Sequence, residues 1–198
     1  MKRDSVALIG CGRWGQNYIP SLGKYWNNVN IFDPDRDRIN EIKSRFEDYS
    51  YPESLDDLSG QTGMDVILCV PPDHTRENLK RWVGNCERIL VEKPCFPRFS
   101  GIPDSYSETG AGYIGHIRLQ TRLISFLEQH CAPGVEVEKV DFSRIYPDRR
   151  FGTIGLIPDL FIHDIAVVFR LLDGNVASLK LKEYEETEHL LRISLFDD

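Results

Sequence analysis

The fold is decided by one stretch near the amino terminus, Ser5-Val-Ala-Leu-Ile-Gly-Cys-Gly-Arg-Trp-Gly15. A short apolar run suited to a buried strand passes directly into Gly10, Gly12 and Gly15, which have the spacing GxGxxG. In a dinucleotide-binding unit the first glycine makes the tight turn, the second lets the backbone approach a pyrophosphate, and the third lets the following helix pack on the strand. The stretch therefore predicts a phosphate-binding turn.

An acidic residue follows at the distance that such a unit requires. The helix-length segment Arg13 to Tyr25 is followed by a second apolar run that ends in Asp33, eighteen residues after Gly15. An acid at this place hydrogen-bonds the adenosine ribose hydroxyls and repels a 2′-phosphate, so Asp33 favours NAD over NADP. Arg36 and Arg38 keep a minor NADP interpretation open. The simpler alternative is an ordinary strand-to-helix turn in which Asp33 is only a turn residue.

The rest of the first half alternates apolar runs with helix-compatible segments, which predicts a doubly wound parallel sheet of the Rossmann type in an α/β fold. Helical segments are predicted at 35–46, 54–58 and 75–83, the last capped by Asp73. Strands are predicted at 49–51, 64–70 and 88–94.

Two segments are expected at the carboxyl edge of this sheet, where open α/β sheets bind ligands. Pro71 and His74 follow one strand and could stand near the cofactor, although His74 fits a solvent-facing helix start equally well. Glu92, Lys93 and Pro94 end the next strand. A lysine there points into the crevice, where its ammonium can hydrogen-bond a hydroxyl or stabilise developing negative charge. Taken alone, Glu-Lys-Pro is a common surface tripeptide.

A possible acid–base pair lies far along the chain. Asp159 and His163 are four residues apart in the helix-length segment Leu156 to Leu172, so they share one helix face. A carboxylate beside an imidazole orients the ring and raises its basicity, as a general acid–base histidine needs. A structural ion pair at a helix end is an equally good interpretation of these residues alone.

Composition excludes several classes of function. The chain of 198 residues is 41% hydrophobic, which supports a buried core in a soluble protein. Its net charge of −7 comes without a basic run, so we expect no nucleic acid partner. The apolar runs are too short for a membrane span, and no signal peptide is recognised. The five cysteines and five histidines lack metal-ligand spacing, so we expect reduced thiols, a cytoplasmic protein and no metal.

In this order, Gly10 to Gly15, Glu92 to Pro94, and Asp159 with His163 resemble the glucose-fructose oxidoreductase and inositol dehydrogenase family (Gfo/Idh/MocA). The resemblance implies an NAD(P)-binding Rossmann domain over residues 1–116, with 112–116 as its last strand. It implies that Lys93 contacts the substrate and the nicotinamide, that His163 takes or returns the hydroxyl proton, and that Asp159 matches the acidic position one helical turn earlier. The residues expected to bind the cofactor are Gly10, Gly12, Arg13, Trp14, Gly15, Asp33, Pro71, His74 and Glu92.

Three departures from the family pattern shape the remaining expectations. Residues 95–110 are rich in Pro, Ser and Gly, so we expect a loop in place of a helix. Val70 lacks the hydroxyl of the family's Thr-Pro turn, and His74 arrives one position early. The chain ends at Asp198, short of the usual length, so we expect a truncated member. Residues 117–198 are then a shortened α+β domain with an open, largely antiparallel sheet built from strands at 135–146, 176–187 and 190–196.

An open sheet edge invites pairing with another chain, so we expect a homo-oligomer formed through this sheet. The leading functional hypothesis is an NAD(P)-dependent oxidoreductase that moves a hydride between nicotinamide and a secondary alcohol or ketone of a sugar, cyclitol or nucleotide-sugar. Two alternatives remain open: a cofactor-binding protein without turnover that acts as a regulatory or assembly partner, and a non-redox enzyme that uses NAD transiently.

Overall fold

The computed structural model describes residues 1–61, 63–93, 95, 112–115, 163–164, 166–167, 180–186 and 191–196. The chain divides into two compact units, Met1–Gly115 and His116–Asp198. Among the described residues, no helix combines the length and the apolar character needed to cross a membrane.

The first unit is built on a parallel sheet, as predicted. Its strands are β1 (Arg3–Ile9), β2 (Trp26–Phe32), β3 (Met64–Leu68), β4 (Arg88–Glu92) and β5 (Gly112–Gly115). They lie in the order β2-β1-β3-β4-β5, and every neighbouring pair is parallel. All five residues of β3 are buried, as expected for a strand that is covered on both faces. The Rossmann-type sheet is thereby confirmed.

The segment predicted as a strand at 49–51 is reduced to one bridge. Ser50 lies parallel to Asn30 on the outer side of β2. The amide of Ser50 donates to the carbonyl of Val29, and the amide of Ile31 donates to the carbonyl of Ser50, both over 2.8 Å. Counting this bridge as a strand restores the usual Rossmann order 3-2-1-4-5-6. The strand expected at this edge of the sheet is therefore reduced to one isolated β-bridge.

In the described part of the first unit, three α-helices cover the sheet: α1 (Ile19–Tyr25), α2 (Arg36–Lys43) and α3 (Pro72–Trp82). The predicted helix at 13–25 is instead a 3₁₀ turn, Gly15–Asn17, followed by α1, which has proline in its first turn. Asp35 caps α2 by accepting a hydrogen bond from the amide of Arg38. The expected cap of α3 by Asp73 is wrong, because the helix begins at Pro72 and Asp73 lies inside its first turn.

Alternate residues of β1 point into two separate hydrophobic layers. Val6 and Leu8 pack in one layer with residues of α1 and α2, including Leu22 and Ile42. The intervening residues Ala7 and Ile9 pack in the other layer; its further members include Leu58, Leu79 and Trp82. Because strand side chains alternate between faces, this pattern gives a sheet with helices on both sides.

A buried carboxylate ties the amino ends of four strands together. Asp65 of β3 is 5% exposed and accepts hydrogen bonds from Trp26 Nε1 (2.7 Å) and Arg3 Nη1 (3.3 Å). Arg88 donates from Nε over 2.9 Å and from Nη2 over 2.5 Å. Burial alone would raise the pKa of Asp65, but the hydrogen bonds from Arg88 and Trp26 and the two positive charges lower it.

The described part of the second unit contains an antiparallel pair, β6 (Lys180–Glu186) and β7 (Leu191–Phe196), with an irregularity between Leu181 and Glu183. Both strands lie within segments predicted as strands. Residues 163–164 and 166–167 are helical, inside the segment predicted as a helix. The predicted strand at 135–146 and the predicted loop at 96–110 lie outside the described residues.

Candidate functional site

The candidate site lies at the carboxyl ends of β1 and β3. Within the sheet, β2 is the neighbour of β1 on one side and β3 is its neighbour on the other. The direction in which successive strands are added therefore reverses between β1 and β3. Ligands of open α/β sheets bind in the crevice at such a reversal. The three glycines follow β1 at this point.

Gly10 and Gly15 are required by the protein itself. Gly10 has φ +90°, and a Cβ there would lie 2.5 Å from the carbonyl oxygen of Cys69, the residue after β3. A Cβ on Gly15 would lie 2.1 Å from the carbonyl oxygen of Gly10. Both distances are impossible for a real side chain. These two glycines therefore form the tight turn and the close packing that the motif predicts.

Gly12 is not required by any contact within the described protein. A Cβ at this position would meet no atom within 4 Å, and its φ is not in the left-handed region. The space in front of its backbone is open at the position where the motif brings a pyrophosphate close. A glycine whose small size serves no protein contact fits a site made for a ligand.

Asp33 is buried at the end of β2, with 3% exposure, and is joined to the glycine turn. Its Oδ2 accepts a hydrogen bond from the amide of Cys11 over 2.6 Å. Its Oδ1 accepts from the amide of Asp35 over 2.9 Å and from Arg38 Nη1 over 2.8 Å. The carboxylate is thus rigidly held beside the turn. The side chain of Arg38 binds this carboxylate and does not extend freely into solvent.

The other predicted cofactor residues of this edge are accessible. Arg13 is exposed, and Trp14 is 43% exposed next to Gly15. Pro71 precedes α3, and His74 lies exposed in its first turn, with its amide bonded to the carbonyl of Pro71 over 2.9 Å. The structure brings these residues to one edge of the sheet, and their contacts with a cofactor remain a prediction.

Glu92 and Lys93 stand at the carboxyl end of β4, two strands from β1. Both are half-buried, and the amide of Lys93 donates to Glu92 Oε2 over 3.3 Å. The hydroxyl of Tyr18, at the start of α1, donates a hydrogen bond to Glu92 Oε1. Glu92 therefore connects the lysine segment with the segment that follows the glycine turn.

His163 belongs to the second unit, where it is helical and 5% exposed, beside Asp164 and near Val167, which are also buried. Asp159 lies outside the described residues. Lys93 and His163 are in different units, and their roles in proton transfer remain predictions. Within the described ranges, no group of three His, Cys, Asp or Glu side chains is arranged to hold a metal ion.

Sequence reasoning missed two features of this half. Tyr18 follows the glycine motif by three residues, and no local pattern connects it with Glu92. Asp65 interrupts the apolar run of β3, which was a usable signal, since a buried charge in a central strand needs partners. Arg3 and Arg88 begin the neighbouring strands and supply them.

Comparison with sequence families gives one match: the model of the GFO_IDH_MocA oxidoreductase family, with an NAD-binding Rossmann fold, matches residues 5–105. A comparison with curated proteins finds no match.

Solved structures share the fold. An oxidoreductase from Desulfitobacterium hafniense, described as NADPH-dependent, is 20% identical, with a TM-score of 0.69 over 91% of this chain and 56% of that chain. A myo-inositol dehydrogenase from Corynebacterium glutamicum is 14% identical, with a TM-score of 0.67 over 86% of this chain and 55% of that chain. The WlbA dehydrogenase from Bordetella pertussis, in complex with NADH and UDP-GlcNAcA, is 16% identical, with a TM-score of 0.63 over 91% and 59%. The chain thus spans less than two thirds of each of these proteins.

Proposed function

Since its amino-terminal half matches the family model, the chain belongs to the Gfo/Idh/MocA oxidoreductase family, and we propose that it is an NAD-dependent dehydrogenase or reductase of CH–OH groups. The observation that carries the proposal is the glycine turn, in which Gly10 and Gly15 are fixed by contacts within the protein while the space at Gly12 is open. Bound nicotinamide supplies hydride transfer.

The first unit positions the dinucleotide. The open backbone at Gly12 receives the pyrophosphate, and Asp33 accepts hydrogen bonds from the adenosine ribose hydroxyls. A carboxylate at this place disfavours a 2′-phosphate, so NAD is the preferred cofactor and NADP the weaker one. Arg38 softens this preference, because its guanidinium partly neutralises Asp33. One of the compared proteins is described as NADPH-dependent, and another was solved in complex with NADH. Both cofactors therefore occur among proteins that share this fold.

The chemistry of the substrate is assigned to three side chains. Lys93, half-buried at the carboxyl end of β4, binds the reacting hydroxyl or carbonyl oxygen and stabilises the negative charge that develops on it. His163 takes the hydroxyl proton during oxidation and returns it during reduction, and Asp159 orients its ring. Residues 117–198 form the substrate and oligomerisation domain in this proposal, and the substrate is a sugar, cyclitol or nucleotide-sugar.

The assembly and location of the protein are parts of the same proposal. A homo-oligomer forms through the carboxyl-terminal sheet, to which β6 and β7 belong. The free thiols of Cys11, Cys69, Cys86 and Cys95 suit a reducing compartment such as the cytoplasm. Light scattering of the purified protein measures the oligomeric state, and a monomer would contradict the proposed homo-oligomer.

Binding and turnover are tested in that order. NADH binding is measured by its fluorescence, and NAD reduction is then followed by nicotinamide absorbance with a panel of cyclitols, sugars and nucleotide-sugars. Lys93→Ala and His163→Ala are expected to bind NADH and to lose turnover by at least about a hundredfold. Lys80→Ala, on the exposed face of α3, is the matched control and retains turnover.

A second candidate is a cofactor-binding protein without turnover, in which the glycine turn with its open space at Gly12 binds the dinucleotide but no substrate is converted. NADH binding without turnover on any member of the panel would support it. Absence of both NAD and NADH binding would contradict both candidates.

A further inference from the structure

Tyr18 and Glu92 form a hydrogen-bonded pair that joins the segment after the glycine turn (Gly10 to Gly15) to the end of β4, where Lys93 lies. Tyr18 is one turn beyond Gly15, and its amide donates to the carbonyl of Gly15 over 3.1 Å. Its hydroxyl reaches across the carboxyl ends of the strands to Glu92 Oε1. Burial, followed by the hydrogen bond to Glu92 and the charge of Glu92, raises the pKa of Tyr18 far above its usual range. The phenol is therefore a neutral donor at every working pH.

The carboxylate of Glu92 is held from three sides. Tyr18 binds Oε1, and the amide of Lys93 donates to Oε2 over 3.3 Å. On the third side lies Gly115 of β5, the residue paired with Glu92 in the sheet. A Cβ on Gly115 would lie 2.6 Å from Oε1 and 2.8 Å from Cδ of Glu92, so the carboxylate occupies the space that a side chain would need.

The negative charge of Glu92 acts at the carboxyl ends of its own strand, β4, and of the neighbouring strand β3. Burial and then the charge of Glu92 raise the pKa of Cys69, which follows β3. The same two causes raise the pKa of Cys95, just beyond β4, to about 11. The carboxylate therefore acts on the space above β3 and β4.

In the proposed function, the nicotinamide ring lies at the carboxyl ends of β3 and β4. The inference about Glu92 that follows rests on this proposed function. The adenosine ribose is assigned to Asp33 at the end of β2, and the pyrophosphate to Gly12 after β1. Along the order β2-β1-β3-β4, the rest of a dinucleotide extends over β3 and β4. The oxidised nicotinamide ring carries one positive charge, and the reduced ring is neutral.

We infer that Glu92, held in place by the Tyr18 hydroxyl, makes the site bind oxidised nicotinamide in preference to reduced nicotinamide. Glu92 acts on the ring charge directly, and Tyr18 is a positioning residue that acts through Glu92. At an effective dielectric between that of a protein surface and that of water, a neighbouring opposite charge changes a binding equilibrium on the order of tenfold.

The test compares dissociation constants for NAD and NADH and needs no substrate. Both are measured by isothermal titration calorimetry on the full chain, for wild type, Glu92→Gln, Tyr18→Phe and the double variant. Glu92→Gln is expected to weaken NAD binding about tenfold and to change NADH binding less than twofold, since only one ring is charged. Tyr18→Phe is expected to change the ratio in the same direction about threefold, since a carboxylate that loses one of its two donors is held less firmly.

Non-additivity separates positioning from a general structural effect. In the Glu92→Gln background, Tyr18→Phe is expected to leave the ratio unchanged. Tyr25→Phe is the matched control, because Tyr25 is on the same helix, is 62% exposed, and is expected to leave both constants unchanged. Should Glu92→Gln not fold, the NAD to NADH ratio of dissociation constants is compared between Tyr18→Phe and Tyr25→Phe. A ratio that is the same in both variants would then overturn the inference.

The possible failures are distinguishable. Wild type that binds neither nucleotide overturns the proposed function and the role of Glu92 together. Wild type that binds both, with a ratio unmoved by Glu92→Gln, overturns the role of Glu92 alone. A ratio that moves with Glu92→Gln but not with Tyr18→Phe overturns the role of Tyr18.

Discussion

Arg38 and Asp33 form an ion pair just beyond the carboxyl end of β2, with Nη1 of Arg38 2.8 Å from Oδ1 of Asp33. The side chain of Asp33 is 4% exposed, whereas that of Arg38 is 33% exposed. The residue that we expect to disfavour a 2′-phosphate is thus in direct contact with a residue that we expect to attract one. We therefore expect cofactor preference to depend on the balance within this pair.

Asp33→Asn is expected to weaken NAD binding about tenfold to a hundredfold, because a charged acceptor for the ribose hydroxyls is lost. NADP binding is expected to weaken less or to improve, since Arg38 no longer has Asp33 as its partner. Calorimetric titration with both dinucleotides measures the ratio. Asp37→Asn is the control, because Asp37 is an exposed carboxylate in the first turn of α2. An unchanged NAD to NADP ratio in Asp33→Asn would contradict the assignment.

The glycines of the turn are expected to respond differently to alanine. Gly15→Ala places a Cβ 2.1 Å from the carbonyl of Gly10 and is expected to lower the free energy of unfolding by about 3 kcal/mol or more. Gly12→Ala meets no protein atom within 4 Å, so its unfolding free energy is expected to stay within about 1 kcal/mol of wild type while NAD affinity falls at least about tenfold. Urea unfolding and NADH titration measure the two quantities. A stable Gly12→Ala protein with normal affinity would place the pyrophosphate elsewhere.

Asp65→Asn is expected to lower the free energy of unfolding at pH 7 by about 2 to 3 kcal/mol, because Arg88 and Trp26 lose a charged acceptor. The pKa of Asp65 is lowered in the folded protein, so its contribution is complete above its unfolded pKa of about 3.9 and is lost as pH falls through the folded value. The difference between wild type and variant should therefore shrink below about pH 4. Urea unfolding from pH 3 to pH 7 measures this. A constant difference over this range would exclude the charge as its cause.

Cys11 is expected to be unreactive although it lies inside the cofactor turn. Burial, and then the charge of Asp33, raises its pKa to about 12. At pH 8 only on the order of 10⁻⁴ of such a thiol is thiolate, the nucleophilic form. Carbamidomethylation followed by peptide mass spectrometry should show modification of Cys11 at least about a hundredfold slower in the folded protein than in urea. Equal rates in the two conditions would show that the turn is open.

The parts of the fold that depend on local pattern could be predicted. Val6 to Ile9 and the run at 64–70 are apolar because both sheet faces are covered, so they indicate buried strands without knowledge of their neighbours. The glycine spacing predicted a turn whose first and third glycines are indeed fixed by steric contact. The position of Asp33 beside this turn also followed from spacing.

The features that could not be predicted depend on contacts between residues distant in sequence. The bond from Tyr18 to Glu92 joins residues 74 positions apart, and that from Arg3 to Asp65 joins residues 62 apart. The start of α3 was missed for a local reason: Pro72 has no amide hydrogen and suits the first helical position better than Asp73 suits the cap. The single bridge at Ser50 was overestimated as a strand because aromatic residues on both sides favour extended backbone.

The order of the strands has a consequence for how the first unit is made on the ribosome. Residues 1–68 contain β1, β2 and β3, which lie side by side and form one side of the five-stranded sheet, in the order β2-β1-β3. Each later strand, β4 and then β5, joins at the outer side of the strand that emerged just before it. Because synthesis is slow relative to the pairing of strands, the sheet can grow by addition at one advancing border, without reopening a pair that has already formed.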